Sequence, residues 1–83
     1  MEEFKISAEK VKSFKNVSQD DKLILYGLYK QILCGNAGKG DYGLFDFRQK
    51  HKHYAWSQQK NKPLKDAIEE YVNLVDELSL YEL

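Results

Sequence analysis

Two tyrosines and a lysine, Tyr26, Tyr29 and Lys30, stand at spacings that could together recognise a phosphorylated base. On a helix, residues three and four apart are neighbours, so two phenol rings and one ammonium would share a face. A ring can stack on a flat base while the lysine binds a phosphate. The alternative is that both rings pack in the core, as aromatic stripes usually do, but other apolar residues of this segment offer a separate packing face. The spacing therefore predicts a cleft lined by these three residues.

Positive and negative side chains are equal in number over the whole chain, but they are separated along the second half of it. Lys plus Arg and Asp plus Glu number 13 each, so the formal net charge is zero. Between Asp46 and Asp66 every acidic or basic side chain is basic, and after Lys65 every one is acidic. The basic residues are Arg48, Lys50, Lys52, Lys60, Lys62 and Lys65. This division predicts an anion site on a basic third helix, with attraction to an acidic fourth helix as the alternative explanation.

No combination of side chains points to catalysis or to a bound metal. His51 and His53 lie two residues apart, so on a helix they point in different directions, and no cysteine or carboxylate stands at a ligand spacing. The single cysteine, Cys34, is expected to be a small apolar core residue. The glycines of residues 35–45 lack the Gly-Lys-Ser/Thr ending of a phosphate-binding P-loop. We therefore expect a protein that is not an enzyme, with no catalytic residue, metal ligand or cofactor.

The first two elements that must position these residues are predicted helices. The first has an apolar stripe made by Phe4, Ala8, Val11 and Phe14. Ser18 with Asp21 approximates a capping box and predicts the start of the second helix, which contains the tyrosines. This second helix should end at Gly35, where a long glycine-rich loop over residues 35–45 begins.

Two more helices follow the loop. The third is predicted over residues 47–60, with a weak inward stripe of Phe47, His51, Ala55 and Trp56. Pro63 suits the first turn of a fourth. The stripe of the fourth helix consists of Leu64, Ala67, Ile68, Tyr71, Val72, Val75 and Leu78. With no convincing strand, the fold class is all-α, a four-helix bundle whose long loop lets helices two and three run in the same direction, while short loops make other neighbours antiparallel.

The length and composition limit what this bundle can do. A chain of 83 residues forms one domain, and its 42% hydrophobic content supports only a modest core. A ligand is therefore expected in a surface groove rather than in a closed cavity. Without a disulfide, a signal-peptide pattern or a membrane-span pattern, the sequence predicts a soluble, cytoplasmic protein.

The order of the motifs closely resembles the acyl-CoA-binding protein family. The resemblance rests on Tyr26-Gly27-Leu28-Tyr29-Lys30-Gln31 with Gly35, on Leu44-Phe45-Asp46-Phe47, on Lys50-His51-Lys52 with Ala55-Trp56, and on Ala67-Ile68 with Tyr71-Val72. It covers nearly the whole chain, from Phe4 to Leu78. It implies a single acyl-CoA-binding domain over residues 1–83 that binds long-chain fatty acyl-CoA thioesters as an intracellular carrier and buffer for lipid metabolism.

The same resemblance implies roles for individual residues. Tyr29 matches the ring that stacks on adenine. Lys30 and Lys52 match the pair that binds the 3′-phosphate, with the hydroxyl of Tyr26 nearby.

Three further positions complete the implied acyl-CoA site. Tyr71 matches a tyrosine that contacts the ribose-phosphate or pantetheine side of the ligand. Lys12 matches a first-helix lysine that can reach the phosphates, and Ala8 matches a small residue over which the ligand lies.

The chain departs from the family pattern at two places. His53 stands where the family usually has a second tryptophan, so the contact with the acyl-proximal part of the ligand is expected to differ. Asp41-Tyr42-Gly43 replaces the Arg-Pro pair that commonly precedes the glycine of the loop. We expect the loop to alter specificity more than fold.

Two other classes of function fit parts of the pattern. A small helical RNA- or nucleotide-binding module would use the basic third helix and the tyrosines, and its binding would depend steeply on salt. A helical partner-binding module would show no nucleotide affinity. With acyl-CoA as ligand we expect no nucleic-acid partner, at most transient membrane contact, and a monomer, because no long apolar strip remains once the core is assigned. Enzymes that produce or consume acyl-CoA are the protein partners considered.

Overall fold

The computed structural model describes residues 1–40 and 42–82, and within them the chain is helical with no strand. The helices are α1 (Glu2–Val11), α2 (Gln19–Cys34), α3 (Phe47–Ser57) and α4 (Leu64–Ser79). The predicted four-helix, all-α class is confirmed. Asp41, which is part of the loop departure, lies outside the described residues.

The ends of α1 and α2 follow local chemistry. Glu2 and Glu3 occupy the first turn of α1, where acidic side chains favour the helix dipole. The helix ends at Val11, earlier than the predicted Phe14, and the next turn closes with bonds such as Phe14 N–H to the Val11 carbonyl. Ser18 caps α2 by accepting a hydrogen bond from the Asp21 N–H at 3.1 Å, as the capping pattern predicts.

Local chemistry also sets where α3 begins and ends and where α4 begins. Asp46 caps α3 by accepting a hydrogen bond from the Gln49 N–H at 3.1 Å. The helix ends at Ser57 rather than at Lys60, and a turn with Asn61 at φ 66° follows it. Pro63 stands just before α4 as its N-cap, one position earlier than predicted, so its missing N–H still costs no helical hydrogen bond.

The buried core is formed by α1, α2 and α4. Its apolar members are Phe4, Leu25, Leu28, Ile32, Ala67, Tyr71, Val75 and Leu78. The stripe predicted for α4 is confirmed at four positions, but Leu64 is exposed, because it begins the helix at the edge of the core. The expectation that Cys34 is a core residue is wrong, since this residue is exposed in the last turn of α2.

The third helix contributes no buried residue. Of its predicted inward stripe, Ala55 and Trp56 are half-buried, whereas Phe47 and His51 are exposed. Among the described helices α3 packs against α2 only, so a single narrow strip of it meets another helix. The closest approach is at Gly27, where an added Cβ would meet the backbone of Ala55.

The helix directions follow from paired side chains. Tyr26 lies opposite Lys52, and Lys30, one turn later, lies opposite Trp56, so α2 and α3 run in the same direction as predicted. In the described part of the chain α3 and α4 do not pack together. One ion pair, Lys62 with Glu70 at 2.7 Å, joins the basic segment to α4, so helix–helix attraction does not account for the basic charge of α3.

No helix in the described ranges has both the length and the apolar composition that crossing a membrane requires.

Candidate functional site

An open groove of about 510 Å³ lies where α1, α2 and α4 meet, and four of the predicted site residues line it. These residues are Ala8, Lys12, Tyr29 and Tyr71. Phe4, which sequence reasoning assigned only to the core, also lines the groove. Because Ala8 is four residues after Phe4, both face the same side of α1, and the small alanine leaves room above the phenylalanine ring.

Three aromatic rings form the wall of this groove. The ring centroids lie 5.6 Å apart for Phe4 and Tyr29, 5.0 Å for Phe4 and Tyr71, and 6.5 Å for Tyr29 and Tyr71. Tyr71 is only 3% exposed, whereas Tyr29 retains 39% of its surface. The buried rings therefore hold Tyr29 in place while one part of it stays open for a flat ligand ring.

The phenol of Tyr71 stays protonated to a higher pH than an ordinary tyrosine does. Burial raises the pKa of Tyr71 above 10.0, and the neighbouring Tyr29 raises it further. Burial disfavours the phenolate because the charged form loses hydration. At neutral pH the hydroxyl is thus a hydrogen-bond donor at the groove.

Lys12 stands on the exposed rim of the same groove and pairs with Glu9. The hydrogen bond to Glu9 and the charge of that carboxylate raise the pKa of Lys12 above 10.5. The lysine is therefore cationic, and a phosphate bound there would replace Glu9 as its partner.

The remaining predicted residues lie where α2 and α3 face each other, Tyr26 and Lys30 on α2 and Lys52 on α3. The ammonium of Lys52 is 4.7 Å from the centroid of the Tyr26 ring. The ammonium of Lys30 is 4.9 Å from the centroid of the Trp56 ring. Within residues 1–40 and 42–82 neither lysine pairs with a carboxylate, so both keep their charge available for an anion.

The structure divides the predicted tyrosine–lysine face into two parts. Tyr29 faces the aromatic groove, whereas Tyr26 and Lys30 contact α3. The reason is helix geometry, because consecutive residues such as Tyr29 and Lys30 differ in direction by about 100°. The two residues thus belong to neighbouring walls of α2 rather than to a single face.

A second groove, of about 240 Å³, runs between α2 and α3. Tyr26 and Lys52 line it together with Leu23, Arg48 and His51, none of which was among the individually predicted ligand-binding residues. Helical spacing could have found two of these, since Leu23 is three residues before Tyr26 and Arg48 is four before Lys52. Leu23 adds apolar surface, and Lys22, Arg48 and Lys52 place positive charge at the same groove.

His53 and Trp56 attach α3 to the long loop. The Nε2 of His53 is 2.7 Å from the Gly38 carbonyl oxygen, and the indole N–H of Trp56 donates to the Gly35 carbonyl at 2.8 Å. His53 does not line the α2–α3 groove. It lines instead, together with Tyr26 and Trp56, a neighbouring depression of about 250 Å³. Trp56, predicted as core, is half-buried with Lys30 over its ring.

The described ranges contain no cluster of three or more His, Cys, Asp or Glu side chains that could hold a metal ion.

Comparison with known sequences gives a consistent result over the length of the chain. The family model described as Acyl CoA binding protein matches residues 1–75. The acyl-CoA-binding protein of Gossypium hirsutum is 42% identical over 78 residues, covering 93% of this chain and 88% of that protein. The acyl-CoA-binding protein homolog of Drosophila melanogaster is also 42% identical over 78 residues, covering 93% of this chain and 91% of that protein.

A solved structure shares the architecture. The crystal structure of Oryza sativa acyl-CoA-binding protein 2 superposes with a TM-score of 0.89 at 37% sequence identity, and the match covers 96% of this chain and 90% of that one. The arrangement of the helices and loop is thus similar in the two proteins.

Proposed function

The chain belongs to the acyl-CoA-binding protein family, and from this premise we propose that it binds long-chain fatty acyl-CoA thioesters and acts as their carrier and buffer in lipid metabolism. The observation that carries the proposal is the surface of α2, which presents the partly open Tyr29 ring on one wall and, on the wall toward α3, Lys30 and Lys52 without carboxylate partners in the described residues. Such a surface suits a phosphorylated adenosine.

The proposed head-group site assigns one task to each side of α2. Tyr29, supported from behind by Phe4 and Tyr71, stacks on the adenine, which contributes about 1–3 kcal/mol. Lys30 and Lys52 bind the 3′-phosphate, each charge-assisted hydrogen bond contributing about 1.5–3 kcal/mol.

Two residues of α1 extend the head-group site. Lys12 exchanges Glu9 for a phosphate of the ligand, and Ala8 leaves space for the ligand to cross α1. The Tyr71 hydroxyl donates to the ribose-phosphate or pantetheine part.

The α2–α3 groove is the proposed path of the acyl chain. Leu23 and the ring of Tyr26 supply apolar surface beside Lys52, one of the two lysines that would hold the head group. Each methylene removed from water contributes about 0.8 kcal/mol, so partial coverage of a long chain gives a large share of the affinity. The expected order of affinity is acyl-CoA, then free CoA, then free fatty acid.

The proposal describes a monomeric binding protein of the cytoplasm rather than an enzyme. The free thiol of Cys34 supports a reducing compartment. Enzymes that produce or consume acyl-CoA are the proposed protein partners, and nucleic acid is not among the proposed ligands.

Calorimetry with palmitoyl-CoA, CoA and dephospho-CoA tests the proposal. CoA should bind more tightly than dephospho-CoA, and equal affinities would contradict the phosphate role of Lys30 and Lys52. Tyr29→Ala should weaken every CoA ligand by about 1–3 kcal/mol. Tyr81→Ala, which removes an exposed ring beyond α4, is the matched control and should leave the affinities unchanged.

The same titrations separate the proposal from an RNA- or nucleotide-binding module. That module would bind an RNA oligonucleotide with a steep salt dependence and would be insensitive to acyl length. Such a result would contradict the proposal.

A further inference from the structure

Three large apolar side chains at the entrance to α3 are largely open to solvent. Leu44 is 83% exposed, Phe45 80% and Phe47 58%. Tyr54, two turns along α3, is exposed as well and lines the same surface depression as Phe47. We call these residues, Leu44, Phe45, Phe47 and Tyr54, the apolar tip. The sequence-based expectation that no long apolar strip remains exposed missed these residues, because α3 uses only a narrow strip to pack against α2.

Basic side chains accompany the apolar tip. Lys50 shares with Phe47 and Tyr54 a depression of about 300 Å³, and Arg48 follows Phe47 directly. The acidic residue in this stretch, Asp46, accepts a hydrogen bond from the Gln49 N–H as the N-cap of α3. The tip is thus an apolar surface next to cations.

Apolar side chains beside lysine and arginine are the combination that binds the interface of an anionic bilayer. The rings and the leucine enter the headgroup region, while the long stem of Lys50 lets its ammonium stay among the phosphates. A purely apolar protein partner would gain nothing from the cations. The acidic face of α4, which carries Glu69, Glu70, Asp76 and Glu77 on exposed positions, would be repelled and would fix the orientation.

We propose that the apolar tip docks the protein on membranes that contain anionic lipids. The docking site adjoins the ligand groove, because His51 lines both the depression of the tip and the α2–α3 groove. An acyl-CoA is amphipathic and partitions into bilayers, so docking brings the groove to the surface where the ligand resides. This last step rests on the proposed function, whereas the docking itself does not.

Flotation with phosphatidylcholine vesicles, with and without phosphatidylserine, tests the docking. The wild-type protein should float with the anionic vesicles and dissociate in high salt. The double variant Leu44→Ser/Phe45→Ser should lose at least about tenfold in vesicle affinity, since each exposed side chain would no longer be buried. Leu80→Ser/Tyr81→Ser, which removes two similarly exposed apolar side chains beyond α4, should bind like the wild type.

The charge contribution and the insertion are measured separately. Lys50→Gln should lower the affinity for anionic vesicles by about fivefold, the contribution of one lysine near the surface. In Phe45→Trp the added fluorescence should shift to the blue with anionic vesicles, whereas in Tyr81→Trp it should not.

Several outcomes would overturn the docking proposal. They are no flotation of the wild type, equal flotation with neutral and anionic vesicles, or wild-type flotation of the Leu44→Ser/Phe45→Ser variant. Self-association lost in that variant, without vesicle binding, would show that a second copy covers the tip, and would overturn it too.

Calorimetry with octanoyl-CoA in vesicle-free buffer tests the ligand function independently. The tip variant should keep the wild-type affinity for this ligand, because its changed residues line neither groove of the candidate site. Loss of flotation with this affinity intact supports the docking. If the tip variant loses its octanoyl-CoA affinity as well as its vesicle affinity, misfolding explains both losses. The assignment of docking to the tip is then overturned.

Discussion

The helices α1, α2 and α4 form a packed unit, whereas α3 is attached to one side of it. The buried apolar residues all belong to the three-helix unit, and α3 has none. In the unit, Phe4 and Tyr71 hold Tyr29 by ring contacts. On α3, the contacts to the rest of the site are cations over rings and hydrogen bonds to loop carbonyls.

This difference shows how the candidate site is built across a stable and a less stable part. Residues that must be rigid for stacking lie on the packed unit, whereas Lys52 and half of the α2–α3 groove lie on α3. Segments with few buried apolar contacts open at low cost. We therefore expect ligand binding to stabilise α3 more than it stabilises the core.

The largest expected effect on stability comes from shortening a buried side chain of the packed unit. Leu28 is 2% exposed, so Leu28→Ala should lower the free energy of unfolding by about 2–5 kcal/mol through lost burial and a cavity. Phe47→Ala on α3 removes a larger but exposed side chain and should change the free energy of unfolding by less than about 0.5 kcal/mol. Urea unfolding of both variants measures the difference. Similar losses would show that α3 is part of the same packed core.

A smaller effect should follow from separating α3 from α2. A Cβ at position 27 would lie 2.8 Å from the carbonyl carbon of Ala55, so Gly27→Ala must push α3 away. Such overpacking costs about 1–3 kcal/mol, offset by about 1 kcal/mol from the better helix propensity of alanine.

Ligand affinity should fall with Gly27→Ala as well, because Lys52 and Trp56 move with α3. Unfolding curves and palmitoyl-CoA calorimetry check both effects. Gly38→Ala, where an added Cβ has nothing within 4 Å, is the control. If the two glycine variants behave alike, the close approach at Gly27 has no energetic role.

The smallest effect concerns the pH dependence of the packed unit. Burial, and then Tyr29, raise the pKa of Tyr71 above 10.0, which means that the folded state favours the neutral phenol. The stability that this preference contributes is fully present below pH 10.0 and is lost as the pH rises through the raised value.

Tyr71→Phe should therefore flatten the fall in stability above that pH, while Tyr54→Phe, which removes an exposed hydroxyl on α3, should not. Thermal unfolding at a series of alkaline pH values measures this. An unchanged alkaline profile in Tyr71→Phe would exclude Tyr71 as its origin.

The sequence predicted the local features of the fold well, because local rules govern them. Capping by Ser18, the end of α2 at Gly35 and the buried stripe of α4 follow from hydrogen bonding at helix ends and from periodicity. The ends of α1 and α3 were placed up to three residues too late, since turns of other geometry continue the chain there.

The candidate site was predicted as a set of residues but not as an arrangement. The types and spacing of Tyr26, Tyr29 and Lys30 were visible in the chain. That they divide between two walls, and that Leu23 and His51 join them, depends on where α1 and α3 lie against α2.

By itself the sequence determined the four helices, the family and the residues able to bind a base and a phosphate, because these follow from side-chain type and spacing along one chain. Only the tertiary structure decided that α3 stays outside the core, that Cys34 is exposed and that Leu44 and Phe45 face solvent. An apolar side chain is buried only where another element covers it, and which element covers which is a property of the packed fold.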